Sequence, residues 1–351
     1  MLYETFKTNM KRLLYIFIAL FLINCGKKKG FEDQSKAYKE SEILNVSEFL
    51  GKSFSIEVID KHLIVRDDQV TTKFTVFDLE EEPINPIYIG YTGQGPGELI
   101  TPGPMITRTN EFLVYDASKM QLFPFNLDSL QVPNYKPLNS IPVKDAGIID
   151  IKQVSNDIFI AVGVFPEKRF KLIDEQGNTT CTFGDYPIEL INDIPEYVRG
   201  MACQSMLTTN KEKHLVAVAM RYGEHIQFHA VDPTKCTTEL INEHNVFLPE
   251  YTTRDNNGFP NFSPSKKTRW GYISITSNSD FVYALYSGKL QVRGTDFYQG
   301  SEVHVFDWQG KFIQKIELDK NAISITCNLT KLYSLYEGEK GFEIAKYELL
   351  N

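Results

Sequence analysis

The sequence predicts an all-β protein, a six-bladed β-propeller with four-stranded blades. Three observations predict this: one strand–turn–strand pattern recurs six times, a weaker strand follows most copies, and helix-period segments are nearly absent. The units are HLIVRDDQVTTKFTVFD from His62, FLVYDASKMQLFPFNLD from Phe112, IFIAVGVFPEKRFKLID from Ile158, HLVAVAMRYGEHIQFHAVD from His214, FVYALYSG with SEVHVFD from Phe281, and LYSLYEGEKGFEIAKYEL from Leu332. Their starts lie 50, 46, 56, 67 and 51 residues apart. Seven or eight blades would need shorter repeats.

Each unit reads as a hairpin through its period-two alternation and its Val, Ile, Phe and Tyr content. A further strand precedes each hairpin, as at Ile151–Val154 and Tyr272–Thr276. The joining turns carry Asp60, Asn110, Asn156, Asn210, Asn278 and Asn328, residue types that accept left-handed backbone and cap their own turns. Outer strands follow at Pro86–Gly90, Asn178–Phe183, Cys236–Ile241 and Phe312–Glu317. The sixth hairpin ends in Phe342–Leu349, leaving no room for a fourth strand before Asn351. Residues 43–49 (Ile43 to Phe49) are expected to complete that last blade and close the ring, since an open edge would otherwise remain. Only Ile188–Met206 has a plausible helical period.

The N-terminus reads as an address. Lys11 and Arg12 precede an apolar run from Leu13 to Ile23, too short to span a bilayer and suited to a signal-peptide core. It ends in Leu22-Ile23-Asn24-Cys25-Gly26, which resembles a bacterial lipobox, with cleavage before Cys25 and acylation of that residue. The expected organisation is a signal peptide over 1–24, a lipidated Cys25 with its tether over 25–41, and the propeller over 42–351. Met10-Lys11-Arg12 would make a more typical start than Met1. Acyl chains contribute about 0.8 kcal/mol per buried CH₂, so two or three anchor firmly, with Lys27, Lys28 and Lys29 beside anionic headgroups. The expected location is the bacterial cell envelope, at the outer membrane in preference to the inner one. An exported body makes disulfides chemically feasible, and Cys181–Cys203 is one pairing to consider among otherwise buried thiols.

Composition sets further bounds. With 42% hydrophobic and 23% charged residues the chain is neither disordered nor a polytopic membrane protein. A formal charge of −8 argues against general nucleic-acid binding.

After the strand Tyr88-Ile89-Gly90 comes Gly93-Gln94-Gly95-Pro96-Gly97-Glu98. Here the chain resembles the TolB-like six-bladed β-propeller lipoproteins of Gram-negative bacteria, which carry a Gly-x-Gly-Pro-Gly-Glu turn after an early outer strand. The resemblance implies the propeller and an envelope location, and no generally assigned activity. Three glycines and a proline fix an irregular turn whose N–H groups could hold an anion or simply link two blades.

Links between blades and the turn inside each hairpin share one face of a propeller, where sites tend to sit. Candidate ligand contacts on that face are Gln94, Glu98, Arg199, Arg221, Tyr222, Arg269, Trp270 and Arg293, since Arg and aromatic side chains are frequent binding anchors. His225 and His229 fall on one face of a strand, too far apart to share zinc. Asp255-Asn256-Asn257-Gly258 resembles half a calcium loop and reads more simply as a turn. The expected function is a membrane-anchored binding or scaffold module for a peptide, glycan or partner protein. The alternative is a channel-mouth hydrolase or lyase acting on a sugar or lactone, with calcium assisting. Carboxylates converging at a channel mouth would favour the enzyme; an apolar or plugged channel beneath an aromatic surface would favour binding.

Overall fold

The computed structural model describes residues 36–187, 196–249, 251–256, 259–292, 294 and 296–349. Strands make up almost all regular structure among them, with one short α-helix at Glu196–Ala202 and two 3-10 turns. The fold is all-β and propeller-like. Four antiparallel, four-stranded sheets follow the first four sequence repeats. They begin with Lys52–Ile59, Pro102–Arg108, Ile148–Ser155 and Ser205–Asn210, and end with Pro86–Tyr91, Ile141–Pro142, Thr179–Phe183 and Thr237–Phe247. The fifth and sixth repeats share a larger sheet, because Phe312–Cys327 is the outer strand of one and continues as the first strand of the next. An additional hairpin, Tyr251–Asn256 with Phe259–Pro264, precedes the fifth repeat.

Two N-terminal strands complete this larger sheet. Lys36–Lys39 runs parallel to Lys315–Leu318. Glu42–Leu44 pairs antiparallel with the last strand, setting Ile43 opposite Ala345 and Leu44 opposite Ile344. The paired segment thus lies earlier than the sequence suggested, and Ser47–Phe49 forms a 3-10 turn instead. Ordered strand also reaches into the stretch read as tether. The helix Glu196–Ala202 falls in the only stretch with a helical period, and residues 188–195 of that stretch lie outside the described residues.

The repeats have a common physical cause. Their second strands are buried on both faces, so Ile158–Gly163 and Leu215–Met220 read as continuous apolar runs rather than alternations. Core clusters then form between successive repeats. Phe74, Phe112 and Phe125 join the first two, with Phe112 and Phe125 stacked at 5.1 Å, and Leu63, Val65, Leu335 and Ile344 join the last to the first. The turns repeat as well. Asp78, Asp174, Asp232 and Asp307 each accept backbone N–H groups from the turn that follows, as does Asn126. At the earlier turn Asp60 and Asn110 take φ of +51° and +59°, while Asn210, Asn278 and Asn328 cap through their side chains.

The cysteine pairing differs from the Cys181–Cys203 pairing considered above. Cys181 is joined to Cys236, and Cys203 and Cys327 are buried thiols. Cys181 sits on the outer strand of the third repeat and Cys236 in the Asp232–Thr237 turn of the fourth, with Cα atoms 6.3 Å apart. Outer elements of adjacent repeats come within disulfide reach, whereas Cys203 packs inward with Tyr186 and Val198.

Candidate functional site

The first strands of the repeats face a central channel, and here the chain solves a hydrogen-bonding problem. A first strand has a sheet partner on one side only, so some of its N–H groups need acceptors elsewhere. Neighbouring repeats supply them from equivalent positions. Ser324 Oγ accepts the N–H of Ile56 at 3.3 Å, Ser274 Oγ that of Ile325 at 3.1 Å, and Asp150 Oδ2 that of Leu207 at 2.9 Å. Thr326 Oγ1 adds a bond from Val58 N at 3.0 Å.

The pairing register slips in five of the six first strands, between Ser53/Ser55, Pro102/Met105, Ile148/Asp150, Tyr272/Ser274 and Ala322/Ser324, the last three just before the acceptors Asp150, Ser274 and Ser324. A β-bulge re-aims the side chain it carries. The bulged residues Phe54, Pro104, Ile149, Ile273 and Ile323, joined by Met206 from the regular strand, line one cavity of about 260 Å³. They form an apolar collar with one residue from each repeat.

The same cavity is also lined by Glu57, Asp150 and Lys152. Lys152 Nζ donates to Glu57 Oε1 at 2.9 Å and to the Met105 carbonyl at 2.7 Å. Asp150 accepts from its neighbour Ile151 N and from Leu207 N. Burial pushes the Asp150 carboxyl upward against the pull of Lys152. For Lys152 burial works downward, but Glu57 and Asp150 together carry it above the usual lysine value. The three charges hold one another, and both carboxylates already have donors.

Two arginines border the cavity. Arg66 places its guanidinium carbon 4.7 Å from the Phe54 ring centroid, and makes no hydrogen bond or ion pair with the described residues. Arg221 donates to Gln204 Oε1 at 3.1 Å and sits 6.0 Å from the Trp270 ring. Trp270 in turn packs on Tyr222 at 5.3 Å and Phe297 at 4.9 Å, and donates to Gln291 Oε1. Burial raises the Tyr222 hydroxyl, opposed by Arg221 beside it.

The structure therefore brings Arg221, Tyr222 and Trp270 together. Arg269 packs over Phe247 at 5.8 Å, donates to the Gly288 carbonyl, and lines a separate cavity with Lys266 and Lys267. Arg199 stands on the short helix near Tyr186 and Cys203. Gln94 and Glu98 are elsewhere again, in the link from the first repeat to the second. Glu98 accepts from Gly95 N and Lys136 Nζ, both at 2.8 Å, while Lys119 Nζ bonds the carbonyls of Gly95 and Glu98. A Cβ on Gly93 would lie 2.0 Å from Glu98 Oε2, and Gly97 has φ of +71° with the Pro137 carbonyl 2.6 Å from where a Cβ would be. The turn's own carboxylate occupies the anion position that its glycines create. Cys25, Arg293, Asn257 and Gly258 lie outside the described residues, while Asp255 and Asn256 are strand.

His225 bonds Glu243 at 2.5 Å, and His229, with its pKa lowered to about 3 by burial, lies between Gln227 and Thr238. No group of three or more potential metal-ligating side chains occurs among the described residues.

A family model described as TolB-like 6-blade propeller-like matches residues 31–329. The chain belongs to this family. No curated protein matches it significantly in sequence. Among solved structures it is similar to a member of the DUF4221 family from Bacteroides vulgatus, at 12% identity and a TM-score of 0.59, covering 90% of this chain and 98% of that one. It is also similar to a putative exported protein from Bacteroides fragilis, at 9% identity and a TM-score of 0.52, covering 90% and 98%. A Lactobacillus plantarum protein matches at 9% identity and a TM-score of 0.50, covering 85% and 84%. At such identities these neighbours share the fold with this TolB-like chain and nothing more specific.

The collar, Arg66 and the Glu57–Lys152–Asp150 group escaped the sequence reading. A signal was present: Phe54-Ser55-Ile56, Ile149-Asp150-Ile151, Ile273-Ser274-Ile275 and Ile323-Ser324-Ile325 repeat one apolar–polar–Ile triplet.

Proposed function

We propose that this TolB-like protein is a membrane-anchored envelope lipoprotein whose propeller binds a ligand through the face carrying Arg221, Tyr222 and Trp270. The observation that carries the reading is the Arg221 guanidinium, which lines the channel cavity on one side and meets the Trp270–Tyr222 cluster on the other. Half-buried Arg221 and Trp270, backed by the buried Tyr222 and placed beside a recess, offer binding chemistry. Glu57 and Asp150 do enter the channel, as a glycosidase-like site would need, but Lys152 and backbone N–H groups already engage them. The Cys25 pattern supports the anchor, and the Cys181–Cys236 bond suits an oxidising compartment. The B. fragilis neighbour is itself described as exported. The ring is read as six four-stranded blades, the last completed by Glu42–Leu44. Supporting that count are six first strands that neighbour one another in sequence order, with Phe312–Cys327 next to Lys52–Ile59.

Peptide and glycan arrays probed with the wild-type protein and with Trp270→Ala and Arg221→Gln test the binding face. Signals that fall with both substitutions support it, and signals indifferent to both overturn it. For the anchor, Cys25→Ser should abolish acyl labelling and release the protein from membranes; continued labelling would remove the lipoprotein reading.

A further inference from the structure

We propose that the upper channel is a binding site for a small carboxylate with an apolar body, held by Arg66 and enclosed by the six-residue collar. The inference rests on the binding-module reading above and specifies its ligand at the channel.

Four observations carry it. Six apolar side chains, Phe54, Pro104, Ile149, Met206, Ile273 and Ile323, line the cavity, alternating with the polar Ser55, Ser274 and Ser324. The other charged groups of the lining hold one another and the backbone, because Lys152 is bonded to Glu57 and Met105 O while the Asp150 oxygens hold Ile151 N and Leu207 N. Of the two cationic side chains at the rim, Arg221 is tied to Gln204. Arg66 has no hydrogen bond or ion pair with the described residues and lies over Phe54, 4.7 Å from its ring centroid, so its donors are left for a ligand.

A charged group must then sit at the rim and an apolar group below it. A cation is disfavoured by Arg66 and Arg221, and the collar gives an apolar part of the ligand its contacts. A carboxylate suits the guanidinium fork bidentately, and its tail replaces water against Ile and Met. The chain's formal charge of −8 repels anions at long range, so affinity must come from this local geometry and not from general attraction.

Hexanoate, its neutral analogue hexanamide, and hexylammonium make a suitable probe set, titrated against the full chain by calorimetry and saturation-transfer NMR. Hexanoate should bind about tenfold or more tightly than hexanamide, since the charge-assisted bonds are lost, and hexylammonium should not bind. Arg66→Gln should remove that preference while hexanamide binding persists, and Arg66→Lys should restore part of it. Ile273→Asn should weaken both hexanoate and hexanamide; an unchanged thermal midpoint for Arg66→Gln shows that its effect is local. Equal binding of the three probes, absence of hexanoate binding, or indifference to Arg66→Gln would overturn the proposal. Array signals that respond to Trp270→Ala but not to Arg66→Gln would overturn the channel site alone and leave the binding face standing.

Discussion

At the scale of single residues, buried polar groups set the acid response of the molecule. His229 is buried, with Nε2 3.3 Å from Gln227 Oε1 and Nδ1 3.1 Å from Thr238 Oγ1. Burial, reinforced by Arg169 and His225, lowers its pKa from 6.5 to about 3. The unfolded chain therefore binds a proton here at pH values where the folded chain does not, and stability falls as pH drops from 6.5 towards 3. At pH 5 this amounts to about 2 kcal/mol from this residue. Urea midpoints for wild type should decline between pH 7 and pH 5, and His229→Gln should flatten that decline. An equal slope in both proteins would show that other groups control it. Glu98 gives the opposite lesson about legibility. Its motif was the most distinctive in the sequence, yet the side chain completes its own turn by holding Gly95 N and Lys136. Glu98→Ala should lower the urea midpoint in denaturant titrations and leave ligand binding unchanged. Motif rarity marked a demanding backbone, and nothing in a linear pattern says whether an acceptor is met from within.

At the scale of elements, strands and turns were readable because each follows from local chemistry. Asp at the end of the third strand is visible in sequence and does the same capping in four repeats. The collar was not readable, because a bulge shifts the alternation by one residue only where the chain lacks a second ladder partner. Disulfide pairing was equally hidden, since Cys181 and Cys236 are neighbours only after adjacent repeats pack. That bond closes a segment with a sequence separation of 55. Cys181→Ser should lower stability by about 2–4 kcal/mol. Reductant should lower the wild-type urea midpoint and leave the mutant's where it is; an unshifted wild-type midpoint would mean that the bond contributes nothing. The aromatic wedge between the first two repeats is a second test of element packing. Phe112 is fully buried, stacked on Phe125 and edge-on to Phe74 at 5.9 Å. Phe112→Ala should cost about 3–5 kcal/mol, and a loss below 1 kcal/mol would place the cohesion elsewhere.

At the scale of the whole molecule, the two ends of the chain depend on each other. Spacing of the repeats made the propeller-like architecture legible, and the short run after Phe342 pointed to the N-terminal segment as donor of a further strand. What spacing could not show is that the donor is split. Lys36–Lys39 covers the outer side of the fifth repeat and Glu42–Leu44 that of the sixth. Side chains reinforce both junctions: Ser41 Oγ donates to Asp319 Oδ2 at 2.8 Å, and Lys346 pairs with Glu42 at 2.8 Å. Leu44 and Val46 then enter the cluster that joins Leu335 and Ile344 to Leu63 and Val65. Removing residues 1–45 would expose the edges of Phe312–Leu318 and Gly341–Glu348, and unpaired edges recruit other chains. Relative to a protein beginning at residue 35, the shorter chain should unfold at lower urea and self-associate in sedimentation, with larger losses than Phe112→Ala because a strand pairing and a cluster go together. A synthetic peptide spanning residues 35–50 should restore the monomer by pairing at the vacated edges. A truncated chain that stays monomeric and equally stable would show that the N-terminal strands decorate a ring already held by its inner strands.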